Sequence, residues 1–197
     1  MRLVDTGGKG VSEITPSGVV AGGKSFELDC LIFASGFEVG TSYTRRAGYE
    51  VTGSSGVRLS QYWADRMRTL HGIHVHGFPN LLIVQPTQGA NLISNVPHNI
   101  VDSAATIAAT IRHALSSGHR RVSVSAAAEE AWIRLLLSGP ERRLGGPDRT
   151  PGYYNNEGQD AGPAAKLRTG YPAGAQAYFG YIRQWRESGT FEGLEFT

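Results

Sequence analysis

The sequence predicts an α/β fold, and three observations carry that prediction. Residues 30–34, CLIFA, form a continuous apolar run of the kind that makes a strand covered on both faces. From 99 to 116, Ile100, Ala104, Ile107, Ile111 and Leu115 recur at three- and four-residue steps, the period of a helix. Residues 122–139 then read as a short strand followed by a second helix.

The elements follow in order. VSEITPSGVV holds two β-prone runs around Thr15-Pro16-Ser17-Gly18, a turn with proline at its second position and glycine at its fourth. VVAGGKSFEL turns again at Gly22-Gly23, a two-residue hairpin signal, so a small antiparallel meander is expected. Asp29 and Ser35-Gly36 bound the apolar strand that follows, and Asp29 reads as structural. A short helical turn is expected near 62–67. Residues 81–84 form a second buried-strand candidate, opened by Phe78-Pro79-Asn80 and ended by Pro86. Gly118 stops the long helix, and Ser125 caps the next one, which closes near Gly139. Tyr178, Ile182 and Trp185 share one face of a final helix that ends at Gly189. A meander followed by a buried strand is how many dinucleotide-binding domains finish, and the βαβ units that begin such domains are absent from these residues. An incomplete domain is therefore expected.

At 197 residues, 40% hydrophobic and 18% charged, the chain is globular rather than disordered. A formal net charge of +2 gives no reason to expect nucleic acid as a partner. No signal peptide and no apolar run of transmembrane length is seen, so a soluble, cytoplasmic protein without a membrane partner is expected. The single cysteine, Cys30, forms no intrachain disulfide and is expected to be a buried, inert thiol. The 26 glycines cluster in the first 60 residues and in the loop from 139 to 172, where turns are expected.

Candidate chemistry is sparse. TGGKGV, with Gly7, Gly8 and Gly10, runs into a hairpin rather than a helix and so reads as turn chemistry, not a phosphate cradle. His71, His74 and His76 in HGIHVHG raise a zinc reading, since alternate strand positions share a face, but no carboxylate or cysteine nearby completes a ligand set. They are expected in a surface-facing loop and strand, and no metal is assigned. No Gly-x-Ser-x-Gly elbow is present. Glu129 and Glu130 read as solvating charges on an exposed helix face. PGYYNNEGQ, 151–159, places two tyrosines, two asparagines and a glutamate in a Gly/Pro-bounded loop, a mix that lines sites.

Four segments are jointly recognisable: DCLIFASGFE, GFPNLLIV, QGANLISNVPHNIVD and PGYYNNEGQ. Together, in this order, they resemble the C-terminal portion of flavin-containing monooxygenases of the Baeyer–Villiger type, the cyclohexanone and phenylacetone monooxygenase class. Asp29-x-x-Ile32-Phe33-Ala34-Ser35-Gly36 is similar to that group's Asp-x-x-(Ile/Val)-x-Ala-Thr-Gly strand, with Ser35 keeping the hydroxyl. The resemblance implies two Rossmann-like dinucleotide-binding domains for FAD and NADP, and oxygen insertion into ketones or oxidation of heteroatoms, with the cofactor supplying the chemistry. It places 1–37 at the end of the NADP-binding domain, 38–120 in the C-terminal part of the FAD-binding domain, and 121–197 in a C-terminal extension of helices and loops. It implies cofactor contacts at Ser35, Gly36, Gln88, Gly89, Asn91 and Asn95. The N-terminus of the long helix lies at the flavin, where it favours negative charge. Tyr153, Tyr154 and Asn155 fall on the substrate or nicotinamide side. No catalytic residue is assigned. Where many members carry Gly-Pro after the last strand, this chain has Gln85-Pro86.

Both glycine-rich fingerprints and the active-site arginine of that family are expected upstream of Met1. A chain lacking the pyrophosphate site is expected to hold FAD poorly and to be active only with an N-terminal half. The alternative is a non-catalytic remnant that binds a protein or a flavin-like ligand. Its exposed apolar surface and unpaired strand edges would favour self-association into a homo-oligomer.

Overall fold

The structure is a computed structural model that describes residues 3–34, 43–85, 87–90, 95–139 and 170–197, with backbone alone at 45 and 46. The chain divides into two compact units, one of residues 1–46 and 144–160 and the other of 47–143 and 161–197.

In the first unit, β1 (Val11–Thr15), β2 (Gly18–Ala21) and β3 (Lys24–Glu27) form an antiparallel sheet in that order. Both expected turns are present. Gly22 and Gly23 have φ of 57° and 74°, the left-handed pair that a tight hairpin requires and that glycine adopts without strain. Pro16-Ser17 link β1 to β2, and Gly18 permits the sheet beyond, since a Cβ there would lie 1.9 Å from the Phe26 carbonyl oxygen. Val19 and Ala21 are the buried positions of β2. The TGGKGV segment is a turn, with the Gly7 and Gly10 amides donating to the side chains of Asp5 and Thr6.

Residues 30–34 depart from expectation. They form no strand, Cys30 is exposed, and Ile32 and Phe33 are 81% and 76% exposed. An apolar run becomes a covered strand only when neighbours hydrogen-bond its edges and pack its faces, and no strand among the described residues pairs with it.

The second unit contains α2 (Leu59–Tyr62), which follows a short helix, α1 (Tyr43–Ala47). The α2 turn starts three residues before the expected position, because the Gln61 side chain accepts from the Arg58 amide and fixes the start there. Trp63 Nε1 then donates to the Arg68 carbonyl, holding the following residues as a loop. Residues 81–84 are also not a buried strand: a single antiparallel bridge joins His74 to Leu82, and Val84 is exposed. The Asn80 side chain joins this segment to the next element, donating to the Arg120 carbonyl and accepting from the Val122 amide.

Three helices and a two-stranded ladder complete the unit. They are α3 (Val96–Ser116), β4 (Val122–Val124), α4 (Ala126–Leu137), α5 (Ala175–Glu187) and β5 (Leu194–Phe196). Ser125 caps α4 as read from the sequence, its hydroxyl accepting from the Ala128 amide at 3.2 Å. Tyr178, Ile182 and Trp185 form the buried face of α5, joined by Phe179. The antiparallel pairing of β4 with β5 had no sequence signal beyond three alternating residues. Every strand pair among the described residues is antiparallel.

The long helix is built opposite to its pattern. Its buried side is polar, formed by Asn99, Ser103, Thr106 and Thr110 with Ala114, while Ile100, Ile111 and Leu115 are exposed. Thr106 and Thr110 donate to carbonyls four residues back, which satisfies their hydroxyls inside the helix. Across from them, Arg186 Nη1 on α5 donates to Asp102 Oδ1 at 2.8 Å and to Thr106 Oγ1 at 3.1 Å. The α3–α5 contact is thus a polar seam with a half-buried ion pair, and the apolar stripe faces away from this unit's core.

Two glycines separate packing from propensity. A Cβ on Gly89 would meet the Tyr178 ring at 2.9 Å, and that ring is buried with its hydroxyl tied to the His71 carbonyl. A Cβ on Gly180, in α5, would meet nothing within 4 Å. In urea titrations Gly89→Ala is expected to destabilise by about 1–3 kcal/mol through overpacking. Gly180→Ala is expected to stabilise by about 0.5–1 kcal/mol through helix propensity.

Candidate functional site

The site is built from the turn at 87–90 and the helix it leads to. Gln88 adopts φ of 60° and is fully buried. That backbone costs roughly 1 kcal/mol or more for a side chain with a Cβ, and it persists where surrounding contacts over-determine it. Here they do. Thr69 Oγ1 donates to Gln88 Oε1 at 2.5 Å, Gln88 Nε2 donates to the Met67 carbonyl at 2.8 Å, and Trp132 Nε1 donates to the Gln88 carbonyl at 3.1 Å. The next carbonyl, of Gly89, accepts from the Tyr171 amide at 2.8 Å. The turn is therefore clamped to α4 by an indole and to the loop ahead of α5 by an amide.

Asn95 is the N-cap of α3 and is exposed. Its side chain makes no capping bond, and the first turn of this 21-residue helix contains Pro97 and no acidic residue. The first turn itself thus supplies no carboxylate to the positive end of the helix dipole, which suits that end to an anionic or electron-rich group. Of the residues assigned to the cofactor from sequence, Gln88, Gly89 and Asn95 lie on this turn–helix segment. Ser35, Gly36, Asn91, Tyr153, Tyr154 and Asn155 lie outside the described residues, as does Pro86 of the Gln85-Pro86 pair.

The histidines sit behind the turn, and two of them are not on the surface as expected. His71 and His74 are each 2% exposed. The His71 ring lies edge-on to Trp132 and Trp185, with centroids 4.7 Å away in both cases, and its Nε2 is 3.0 Å from the Tyr181 hydroxyl. An aromatic shell accepts an imidazole as a neutral ring, which is why alternation alone misplaced these residues. Burial, and secondarily the neighbouring His74, holds His71 well below the usual histidine range; burial brings His74 down to about 3. Among the described residues no group of three His, Cys, Asp or Glu side chains is placed to hold a metal ion. A cleft of about 220 Å³ opens beside this cluster, lined by His71, Trp132, Tyr181 and Trp185 with Leu70 and Glu192.

A carboxylate that read as a solvating charge is central to the same unit. Glu129 is 1% exposed. It accepts from the Tyr62 hydroxyl and, at 2.8 Å, from the His76 amide, and Arg68 Nε stands 3.6 Å away. Arg68 also pairs with Glu130. Burial, then the hydrogen bond to Glu129, pushes the Tyr62 phenol up, so it remains a donor. Adjacent glutamates on a helix differ by about 100° in direction, so one enters the interior while the other pairs at the surface.

No family model matches the chain. It is 40% identical over 198 residues to pentalenolactone D synthase of Streptomyces exfoliatus, a match that takes in 99% of this chain and 34% of the relative. FAD-binding monooxygenase hmp7 of Hypomyces subiculosus is 38% identical over 198 residues, covering 100% of this chain and 33% of that protein. Baeyer-Villiger monooxygenase peniC of Penicillium patulum is 40% identical over 201 residues, covering 99% and 32%. Along essentially its whole length the chain is similar to one part of Baeyer–Villiger-type monooxygenases. Among solved structures, a polycyclic ketone monooxygenase from the thermophilic fungus Thermothelomyces thermophila superposes with a TM-score of 0.82 at 28% identity, over 98% of this chain and 32% of that one. The chain therefore spans about a third of the length of the curated relatives it matches. The family read from the four motif segments holds, and the mixed helix and strand content agrees with the fold of these flavin monooxygenases. No helix among the described residues is long and apolar enough to cross a membrane.

The buried imidazoles set a pH dependence. The unfolded chain binds protons at His71 and His74 near pH 6.5, whereas folded His74 does so only near 3 and His71 is likewise depressed. Stability is then fully present above about 6.5 and falls with decreasing pH, by up to about 1.4 kcal/mol per pH unit for each histidine. Denaturation midpoints between pH 7 and 4 should show this slope, and His74→Asn should make it shallower. Glu129→Ala, which strands the Tyr62 and His76 donors, should lower stability by about 3 kcal/mol in the same measurement at pH 7.

Proposed function

We propose that this chain supplies the C-terminal part of an FAD- and NADPH-dependent monooxygenase that inserts oxygen into ketones or oxidises heteroatoms. The observation that carries the reading is identity of about two residues in five across essentially the whole chain to named monooxygenases. The uncompensated N-terminus of α3 supports it, since reduced flavin gathers negative charge that this end of a helix favours.

In this reading the parts divide as follows. Asn95 and the first turn of α3 face the flavin, and Asn91 is assigned to the same cofactor. Gln88 and Gly89 shape the turn that aims that helix at the cofactor, with the Thr69, Met67 and Trp132 contacts keeping it from relaxing. Ser35 and Gly36 lie on the return from the NADP-binding domain, which ends at 37. Residues 38–120 belong to a Rossmann-like FAD-binding domain, and 121–197 form the extension. Tyr153, Tyr154 and Asn155 contact the substrate or nicotinamide. When bound, flavin supplies the oxygen-activating chemistry and NADPH the reducing equivalents. This chain's residues position, exclude water and favour charge. The substrate is a small ketone or a heteroatom-bearing molecule, and the setting is cytoplasmic.

The pyrophosphate of FAD needs backbone donors that none of these residues has been assigned to supply. The chain incubated with FAD and desalted is therefore expected to be colourless. Co-expressed with the part of the Streptomyces exfoliatus relative that lies outside their match, it is expected to retain flavin in stoichiometric amount and to oxidise NADPH in the presence of ketone. Absorbance of the desalted pair and oxygen uptake check this; a pair that stays without flavin and without oxygenation refutes the reading.

A further inference from the structure

We propose that the cleft lined by α4 and α5 binds a small organic ammonium ion, held by the rings of Trp132, Tyr181 and Trp185, by Nδ1 of His71 and by the Glu192 carboxylate. The site lies within the second unit and is independent of the flavin reading above.

The cleft follows from a difference in size between two helix faces. Ala128, Ala131 and Trp132 lie at i, i+3 and i+4 on α4 and so share one stripe, in which the two alanines fill little space. Tyr181 and Trp185, four residues apart, share the lining stripe of α5. Methyl groups on one side and large rings on the other leave about 220 Å³. A cavity of about 150 Å³ holds benzene, so this one takes a single ring bearing a short charged arm. Its walls are fixed in place, because Trp132 Nε1 donates to the Gln88 carbonyl and Trp185 Nε1 to the Glu192 carbonyl.

The lining selects for positive charge. Aromatic rings attract a cation through their quadrupole, indole most strongly. Both indole N–H groups are already engaged by those carbonyls, so neither offers a donor to an anion. Among the described residues the cleft is lined by one carboxylate, Glu192, and by no lysine or arginine. The imidazole adds the directional contact. His71 is 2% exposed, its Nε2 lies 3.0 Å from the Tyr181 hydroxyl, and its Nδ1 is buried with no hydrogen-bond partner among the described residues. A buried nitrogen left in that condition is costly. The ring neighbours of His71 are Trp132, Tyr181 and Trp185, themselves walls of the cleft, which puts the unmet nitrogen in the same enclosure. With Nε2 carrying the proton and donating to the phenol oxygen, Nδ1 is an acceptor, and an ammonium N–H is the donor it lacks. Burial keeps the ring neutral, so it does not repel a cation.

The test titrates benzylammonium, one ring with one charged nitrogen, into the 197-residue chain labelled with heavy nitrogen at tryptophan, and follows the indole N–H resonances. Benzyl alcohol, the neutral molecule of the same shape, is titrated in parallel. The three tryptophans give three signals, and Trp63, which does not line the cleft, is the internal control, assigned with Trp63→Phe. Benzylammonium is expected to shift the Trp132 and Trp185 signals saturably, with millimolar affinity or better, and to leave Trp63 in place. Benzyl alcohol should bind at least about tenfold more weakly. Glu192→Gln should weaken benzylammonium about threefold, as befits an exposed partner. Ala131→Phe, at an exposed position of α4, fills the cleft and should abolish the response while the helical circular dichroism is kept. Absence of a saturable shift, equal binding of the alcohol, movement of all three signals together, or binding that survives in folded Ala131→Phe overturns the proposal. Where Ala131→Phe does not fold, unaltered affinity of Glu192→Gln for benzylammonium overturns it.

Discussion

The structure depends on how the 87–90 turn is held. Gln88 sits in a left-handed backbone with its amide consumed by Thr69 and Met67 and its carbonyl held by the Trp132 indole. Polar tips of large aromatics do the same work elsewhere: the Tyr178 hydroxyl donates to the His71 carbonyl and Trp185 Nε1 to the Glu192 carbonyl. Each of these side chains fills the core with its body and satisfies a loop carbonyl with its edge. Helices α4 and α5 are thereby connected to the irregular segments around the 87–90 turn.

Charge in this unit is handled by two opposite means. Glu129 enters the interior because the Tyr62 hydroxyl, the His76 amide and the Arg68 guanidinium converge on it. His71 and His74 enter it as neutral rings because nothing compensates a charge there. The acid anchors α4 to the loop at 62–76, and the imidazoles occupy aromatic surroundings that a charged ring would disrupt. Both solutions lie close to the turn, which makes this part of the unit sensitive to substitution although none of these groups belongs to the proposed chemistry.

Much of the fold was legible locally. Pro16-Ser17, Gly22-Gly23, the Ser125 cap, the stop at Gly118 and the Tyr178–Ile182–Trp185 face depend on contacts within a few residues, and sequence records such contacts directly. What could not be read depended on distant partners. The run at 30–34 has the composition of a covered strand, but composition states a need for neighbours without providing them. The periodicity of α3 was correct and its facing was inverted, since period does not say which surface lies opposite. Glu129 and His71 were misjudged because their partners, Tyr62 and Tyr181, lie 67 and 110 residues away. For the candidate site, the segment from Gln88 to Asn95 was proposed through the family resemblance; the clamps on Gln88, Trp132 above all, left no mark in the motif itself.

The ladder of β4 and β5 has a kinetic consequence. Val124 pairs directly with Leu194, so roughly 70 residues must be synthesised between them, and closing so long a loop costs entropy before any pairing repays it. Helices α4 and α5 are both contained within that loop. On the ribosome β4 emerges beside α4 and then waits for its only strand partner among the described residues while the chain between them is made. Vectorial synthesis therefore leaves this unit open to solvent for longer than the short, locally folded meander of the first unit.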